Sequence, residues 1–103
     1  MATVAVVAKI TALPGKRDEV AGILKEMIAH VEGEPDTLIY SMNLDTVDTE
    51  VIWFFELYSG PEALAAHGTS DKMKEVGGRL RELAAGRPEI HVCEPYAAKG
   101  LPA

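Results

Sequence analysis

Hydrophobic and polar positions divide the chain into segments with two different periods. Over residues 3–13, Val4, Val6, Ala8 and Ile10 fall on one face and Ala5, Val7, Lys9 and Thr11 on the other. That two-residue alternation predicts a β-strand, which Pro14-Gly15 stops. From Lys16 the apolar residues recur at Val20, Ile23, Leu24, Met27, Ile28 and Val31. Spacings of three and four predict an amphipathic helix, closed by Gly33 and Pro35. Residues 37–44 alternate again, with Leu38, Tyr40, Met42 and Leu44 opposite Thr37, Ile39, Ser41 and Asn43. The polar run 45–49 predicts a hairpin turn into Val51-Ile52-Trp53-Phe54-Phe55-Glu56-Leu57, which is apolar at odd and even positions alike. Such a run predicts a central strand with both faces covered.

The second half of the chain reads as two short helices and a last strand. Ser59 and Glu62, with Pro61 between them, predict a capping box opening a helix that carries Leu64 and His67, with Gly68 as a left-handed end. Thr69-Ser70-Asp71 predicts a fresh N-cap before Met73, Val76, Leu80 and Leu83, with Gly86 and Pro88 ending the segment. Gly77-Gly78 lies inside it, where each glycine costs about 1 kcal/mol relative to alanine. Close backbone packing or a kink is expected there. Residues 89–94 form the last strand, and the tail 97–103 carries no periodic signal.

The order strand, helix, strand, strand, helix, strand predicts an α+β domain of ferredoxin-like βαββαβ type: one four-stranded antiparallel sheet with the first and third strands central. The chain is one domain, 1–103, with its core at about 3–96. Helices can cover one sheet face only. The other would expose large apolar side chains of the third strand, beyond what monomers usually tolerate. A homodimer with sheets meeting face to face is therefore expected.

The formal net charge of −6 argues against a nucleic-acid partner or an anionic membrane surface. The single cysteine, Cys93, provides no intramolecular disulfide and no cysteine-based zinc site. No segment approaches membrane-spanning length, and the start of the chain lacks the basic region of a signal peptide, so a cytoplasmic protein is expected.

Several stretches together resemble the antibiotic biosynthesis monooxygenase family: Val6-Val7-Ala8-Lys9-Ile10, Pro14-Gly15-Lys16, Glu34-Pro35, Leu38-x-Tyr40, Phe54-Phe55-Glu56-x-Tyr58 and Ala63-Leu64-x-x-His67. The resemblance covers about residues 3–96. It implies a dimeric α+β barrel, a small aromatic or polyketide substrate held between sheet and helices, and in several members oxygenation by molecular oxygen without metal, flavin or haem. The chain departs from the family in having Asp36 after Glu34-Pro35, Tyr58 where tryptophan is common, and no second histidine after Thr69-Ser70. The haem-degrading branch relies on an asparagine near the position of Ala8 and a histidine in the second helical segment. This chain has neither, which disfavours haem degradation.

Among the residues that could carry such chemistry, His67 is the sharpest candidate for a catalytic base. An ordinary imidazole, with a pKa near 6.5, can take a phenolic proton at neutral pH and leave an electron-rich anion. It could equally cap its helix or pair with Glu56. Glu56, the second catalytic candidate, sits in an apolar strand and needs a partner such as His67 or a backbone N–H. Tyr40 is a substrate-facing hydroxyl or a core aromatic. Asn43 could bond a quinone-like carbonyl or serve the turn. Trp53 and Phe55 offer a flat wall for an aromatic ring, or pack in the core or interface. His30 and His91 read as surface residues. No spacing suggests a metal site. With the resemblance, these residues suggest a cofactor-independent monooxygenase of a quinol, phenolic or polyketide-like aromatic. The alternatives are a non-catalytic small-molecule-binding dimer and an isomerase of a small sugar-like or dicarbonyl substrate.

Overall fold

In the computed structural model, which describes residues 2–102, β1 (Val4–Thr11) and β3 (Val51–Tyr58) form the centre of one sheet. β2 (Thr37–Leu44) flanks β3 and β4 (Glu89–Cys93) flanks β1, giving the order β2-β3-β1-β4 with every neighbour antiparallel. Three helices, α1 (Arg17–Val31), α2 (Pro61–Gly68) and α3 (Asp71–Leu80), complete the α+β ferredoxin-like fold. The expected topology and central strands are observed.

The alternation read from the sequence decides which face each side chain takes. Val6, Ala8 and Ile10 of β1 and Ile52, Phe54 and Tyr58 of β3 face the helices and are buried. They pack with Val20, Leu24 and Met27 of α1 and Val76 of α3. Burying a side chain of the size of Phe54 or Met27 contributes about 1.5–3 kcal/mol each. The opposite face differs. Val51 and Leu57 at the ends of β3 are buried, but Phe55 in its middle is 50% exposed. The expected cover on both faces is not complete within one chain.

Three local expectations need correction. No capping box forms at Ser59: the N-cap of α2 is Gly60, in extended backbone, without a side-chain cap bond. Instead the Ser59 N–H donates to the Asp36 carbonyl at 2.9 Å. Gly68 is not left-handed but the last residue of α2, followed by a C-cap at Thr69. α3 runs unbroken through Gly77-Gly78, and neither glycine packs closely, since a Cβ at either would meet nothing within 4 Å. The Ser70 N-cap does form, its hydroxyl accepting from the Met73 N–H at 3.2 Å. α3 ends at Leu80, and Leu83 lies in the turn after it.

Two polar clamps fix the layers. Arg17 donates to the carbonyls of Asp45 and Asp48 at 2.9 and 3.3 Å, tying the start of α1 to the β2–β3 turn. Glu26 of α1 accepts two bonds from Arg79 and one from Lys72, each 2.8 Å, and so ties α1 to α3. Those cations hold the Glu26 carboxyl down at about 2, Arg79 contributing most.

Candidate functional site

The ends of β2 and β3, the turn after α1 and the last turn of α2 meet at His67. Ser59 contributes by bonding Asp36, which anchors the 33–36 turn beside the start of α2. The same turn carries Glu34. His67 is 4% exposed, and its Nδ1 lies 3.0 Å from Glu34 Oε1. Thr37 donates its hydroxyl to that same oxygen at 2.8 Å. The other carboxylate oxygen, Oε2, faces His30 Nε2 at 3.0 Å. Burial opposes ionisation of Glu34, but the Thr37 and His67 hydrogen bonds and the two imidazoles outweigh it and hold the carboxyl below its ordinary value.

An ionised Glu34 can only accept. Its contact therefore places a proton on Nδ1 of a neutral His67 and leaves the lone pair on Nε2, as a carboxylate does for any histidine it orients. No other side chain among the described residues bonds the His67 ring. Aromatic rings enclose it. The Tyr40 ring centroid is 5.0 Å away and that of Tyr58 5.4 Å, and Tyr40 in turn stacks obliquely on Phe54 at 5.1 Å.

Beside these rings, Glu56 pairs across the strands with Tyr40 and accepts a 2.5 Å bond from the Tyr58 hydroxyl. Burial raises the Glu56 carboxyl above its ordinary value, against the opposing pull of Tyr58 and the His67 imidazole. Burial also pushes both tyrosine hydroxyls up. For Tyr40 the nearby Glu56 and Glu34 carboxylates add to it, and for Tyr58 so does the Glu56 bond. Both phenols therefore stay protonated; the Tyr58 hydroxyl gives its proton to the Glu56 bond, and that of Tyr40 makes no side-chain hydrogen bond among the described residues. Two cavities open on either side of Glu34. One of about 310 Å³ is lined by Ile28, Val31, Glu34, Thr37 and Tyr40 among others. The other, of about 240 Å³, is lined by Glu34, Thr37, Ala63, Ala66 and His67 among others. The larger falls at the lower end of ligand-site volumes.

The structure thus brings together three of the six residues singled out in the sequence: His67, Glu56 and Tyr40. It separates the others. Asn43 and Trp53 are cross-strand partners on the opposite sheet face, together with Phe55. The Asn43 amide donates to the carbonyls of Ser41 and Trp53, and the Trp53 indole N–H donates to Asp45 at 2.8 Å with Lys9 over its ring. A single pocket walled by Trp53 and Phe55 around His67 is therefore not formed within one chain. The partner of His67 is Glu34 rather than Glu56, and the partner of Glu56 is Tyr58. His30, read as a surface residue, shares Glu34 with His67, whereas His91 is exposed and faces Glu89 at 3.4 Å. Among the described residues no three His, Cys, Asp or Glu side chains are placed to hold a metal ion, and no helix is long and apolar enough to cross a membrane.

The fold and this geometry define a class: a small ferredoxin-like α+β domain with a histidine–carboxylate pair enclosed between sheet and helices. The chain belongs to the antibiotic biosynthesis monooxygenase family, which matches residues 3–78. Solved structures agree with that placement. A Caulobacter crescentus CB15 protein, assigned provisionally as an antibiotic biosynthesis monooxygenase, is 28% identical, with 93% of this chain and 92% of that one covered and a TM-score of 0.87. A conserved protein of Methanosarcina mazei Go1 is 26% identical over 90% and 92% of the two chains, with a TM-score of 0.83. A Chloroflexus aurantiacus J-10-fl protein, provisionally assigned to the same activity, is 26% identical over 95% and 97%, with a TM-score of 0.78. No curated protein matches the chain significantly.

Proposed function

We propose that this chain is a monooxygenase that uses molecular oxygen on a quinol, phenolic or polyketide-like aromatic ring without a resident cofactor, and that it works as a homodimer. The observation that carries the reading is the His67–Glu34 pair: a buried imidazole held by a carboxylate at Nδ1, with Nε2 left to act as a base among aromatic rings. A phenol whose O–H reaches Nε2 gives up its proton, and Glu34 stabilises the resulting imidazolium. The phenolate is electron-rich enough to react with dioxygen directly. At a ring C–H carbon ortho or para to that oxygen, a C–O bond forms as the phenolate oxygen becomes a carbonyl, and the peroxide anion takes back the proton held on His67 to give a hydroperoxide. Cleavage of its O–O bond with loss of the hydrogen on the same carbon releases water and leaves a second carbonyl. One oxygen atom then resides in the product and one in water, so no external reductant is needed.

In this reading Tyr40 lies in the binding site and its hydroxyl orients the substrate oxygen. Glu56, which burial keeps toward its neutral form, stands beside His67 as a proton store for the departing water. Trp53, Phe55 and Asn43 act on the other sheet face, where a second copy would cover the half-exposed Phe55. The test is oxygen consumption by the metal-stripped protein with a panel of hydroquinones and anthrone-like phenols. Uptake above the autoxidation rate that disappears in His67→Ala supports the reading. Full activity in His67→Ala, or no uptake with any of them, counts against it.

A further inference from the structure

Four arginines occur in the chain, and two of them are held by the fold. Arg17 bonds the carbonyls of the β2–β3 turn and Arg79 bonds Glu26. Arg81 and Arg87 make no side-chain hydrogen bond or ion pair among the described residues, and both line one cavity of about 540 Å³. Its floor and sides are apolar: Ile10 of β1, Leu80 at the end of α3, Ala84 and Pro88. Its outer wall is tethered rather than loose. Leu13 N–H donates to the Leu83 carbonyl at 2.8 Å and Ala85 N–H to that of Thr11 at 2.7 Å, with Ala12 and Ala84 bridged between them.

Gly77 supplies an independent observation. It sits in the middle of α3, costs helix stability relative to alanine, and has no packing neighbour to justify it. It does line this cavity, where a longer side chain would take up the space. Gly78, equally free of neighbours, is not among the lining residues.

We propose that this cavity is a second binding site, separate from the His67 site, for an amphipathic organic anion: a compact apolar body over Ile10, Leu80 and Ala84, with a carboxylate or sulfonate held by Arg81 and Arg87. An apolar cavity with a few convergent polar groups is the usual form of such sites. Guanidinium groups are the side chains best matched to a planar oxyanion, and charge-assisted bonds of this kind are about twice as strong as neutral ones. In a chain of net charge −6, two guanidiniums at one apolar cavity with no ionic partner among the described residues form a local exception that favours an anion.

The test is titration of 1-naphthoate, and of neutral 1-naphthylmethanol, into the isotope-labelled full chain while following backbone amide resonances. Naphthoate should give saturable shifts centred on Gly77 and Gly86 and bind at least about tenfold more tightly than the alcohol. Arg81→Gln and Arg87→Gln should each weaken it by about tenfold. Gly77→Leu should abolish binding, while its better helix propensity keeps its melting temperature at or above that of the parent. Gly78→Leu, with the same gain in propensity, should bind as the parent does. No saturable shift at Gly77 and Gly86 up to about 10 mM, equal binding of the alcohol, or undiminished binding in a folded Gly77→Leu would each overturn the proposal. The arginine variants, both at exposed positions, decide the matter should Gly77→Leu fail to fold.

Discussion

Glu34 Oε1 stands 3.0 Å from Nδ1 of His67, although 33 residues separate the two in the chain. One residue closes the turn after α1 and the other lies in the last turn of α2. The Ser59 N–H, donating to the Asp36 carbonyl, ties the turn of the one to the start of the helix of the other. Glu34→Gln keeps the shape of this contact but replaces a pure acceptor by a group that can present either oxygen or nitrogen to the ring. The imidazolium would lose its counter-charge and the Nδ1–H tautomer its partner. With a true substrate, kcat for oxygen uptake should fall by about 10²-fold or more, with KM little changed. Nitrogen chemical shifts of the His67 ring should show the Nε2–H tautomer gaining population.

Stability at the same carboxylate carries a definite sign. Glu34 has a folded-state pKa below its unfolded value, so its contribution is present above the unfolded pKa of about 4.3. It is lost as pH falls through the lower folded value. Urea unfolding from pH 7 down to pH 3 should therefore show the difference between the parent and Glu34→Gln shrinking toward the acid end. A difference that stayed constant with pH would mean that the carboxylate charge contributes nothing.

Much of this arrangement can be read in the sequence, and the rest fails for identifiable reasons. β1, β2 and the helices follow from two-residue and three-to-four-residue apolar spacings and β3 from its unbroken apolar run, and these strands are found in those places. Alternation along β3 already sets Trp53 and Phe55 opposite Glu56, so one flat pocket holding all of them was never compatible with an ordinary strand. The partner of His67 is a different matter. Glu34 sits in a turn with no periodicity, and only its place in the Glu34-Pro35 motif marks it. Which residue it touches depends on how the turn folds back onto α2. The Ser59–Glu62 capping pattern misleads because Gly60 occupies the N-cap, while Ser59 is still bonded as part of the strand end.

Glu56 should behave in the opposite sense to Glu34. Its folded-state pKa is raised, chiefly by burial. Its ionisation therefore works against the fold: stability is full below the unfolded pKa and declines as pH rises through the folded one. Glu56→Gln removes that penalty while leaving an oxygen to accept from Tyr58. The variant should be more stable than the parent at pH 8, with the difference vanishing below about pH 4. Tyr58→Phe should act in reverse. It strips Glu56 of its donor and should cost about 1–3 kcal/mol in urea unfolding at neutral pH.

The clamp between α1 and α3 offers a test on the molecular surface. Arg79 and Lys72 hold Glu26 at about 2, and the three side chains are partly exposed at the surface. A depressed carboxyl stabilises the fold above its unfolded pKa and loses that effect as pH falls from about 4.3 toward about 2. Glu26→Gln should lower the melting temperature at neutral pH and low salt. The gap to the parent should close both in acid and in about 1 M salt, where exposed charges are screened within about 3 Å. Persistence of the gap in high salt would point to lost packing of the Glu26 stem instead of lost charge.

Phe55 tests the proposed dimer most directly. It stands at the centre of the uncovered sheet face, with Val7 and Ser41 as its cross-strand neighbours, and half of it is open in the single chain. An aromatic residue at the middle of an interface, once dehydrated, typically carries 2 kcal/mol or more of the association energy, about 30-fold in the dissociation constant. A carboxylate at the same point would also have to be buried against its own copy across a two-fold axis, adding like-charge repulsion. Phe55→Asp should thus weaken self-association by about 10²-fold or more in sedimentation equilibrium. Far-ultraviolet dichroism should be unchanged, because Phe55 contributes nothing to the helix-side core. If the parent already sediments as a monomer at micromolar concentration, the sheet face is not covered by a second copy. If the variant stays dimeric, the two chains meet elsewhere.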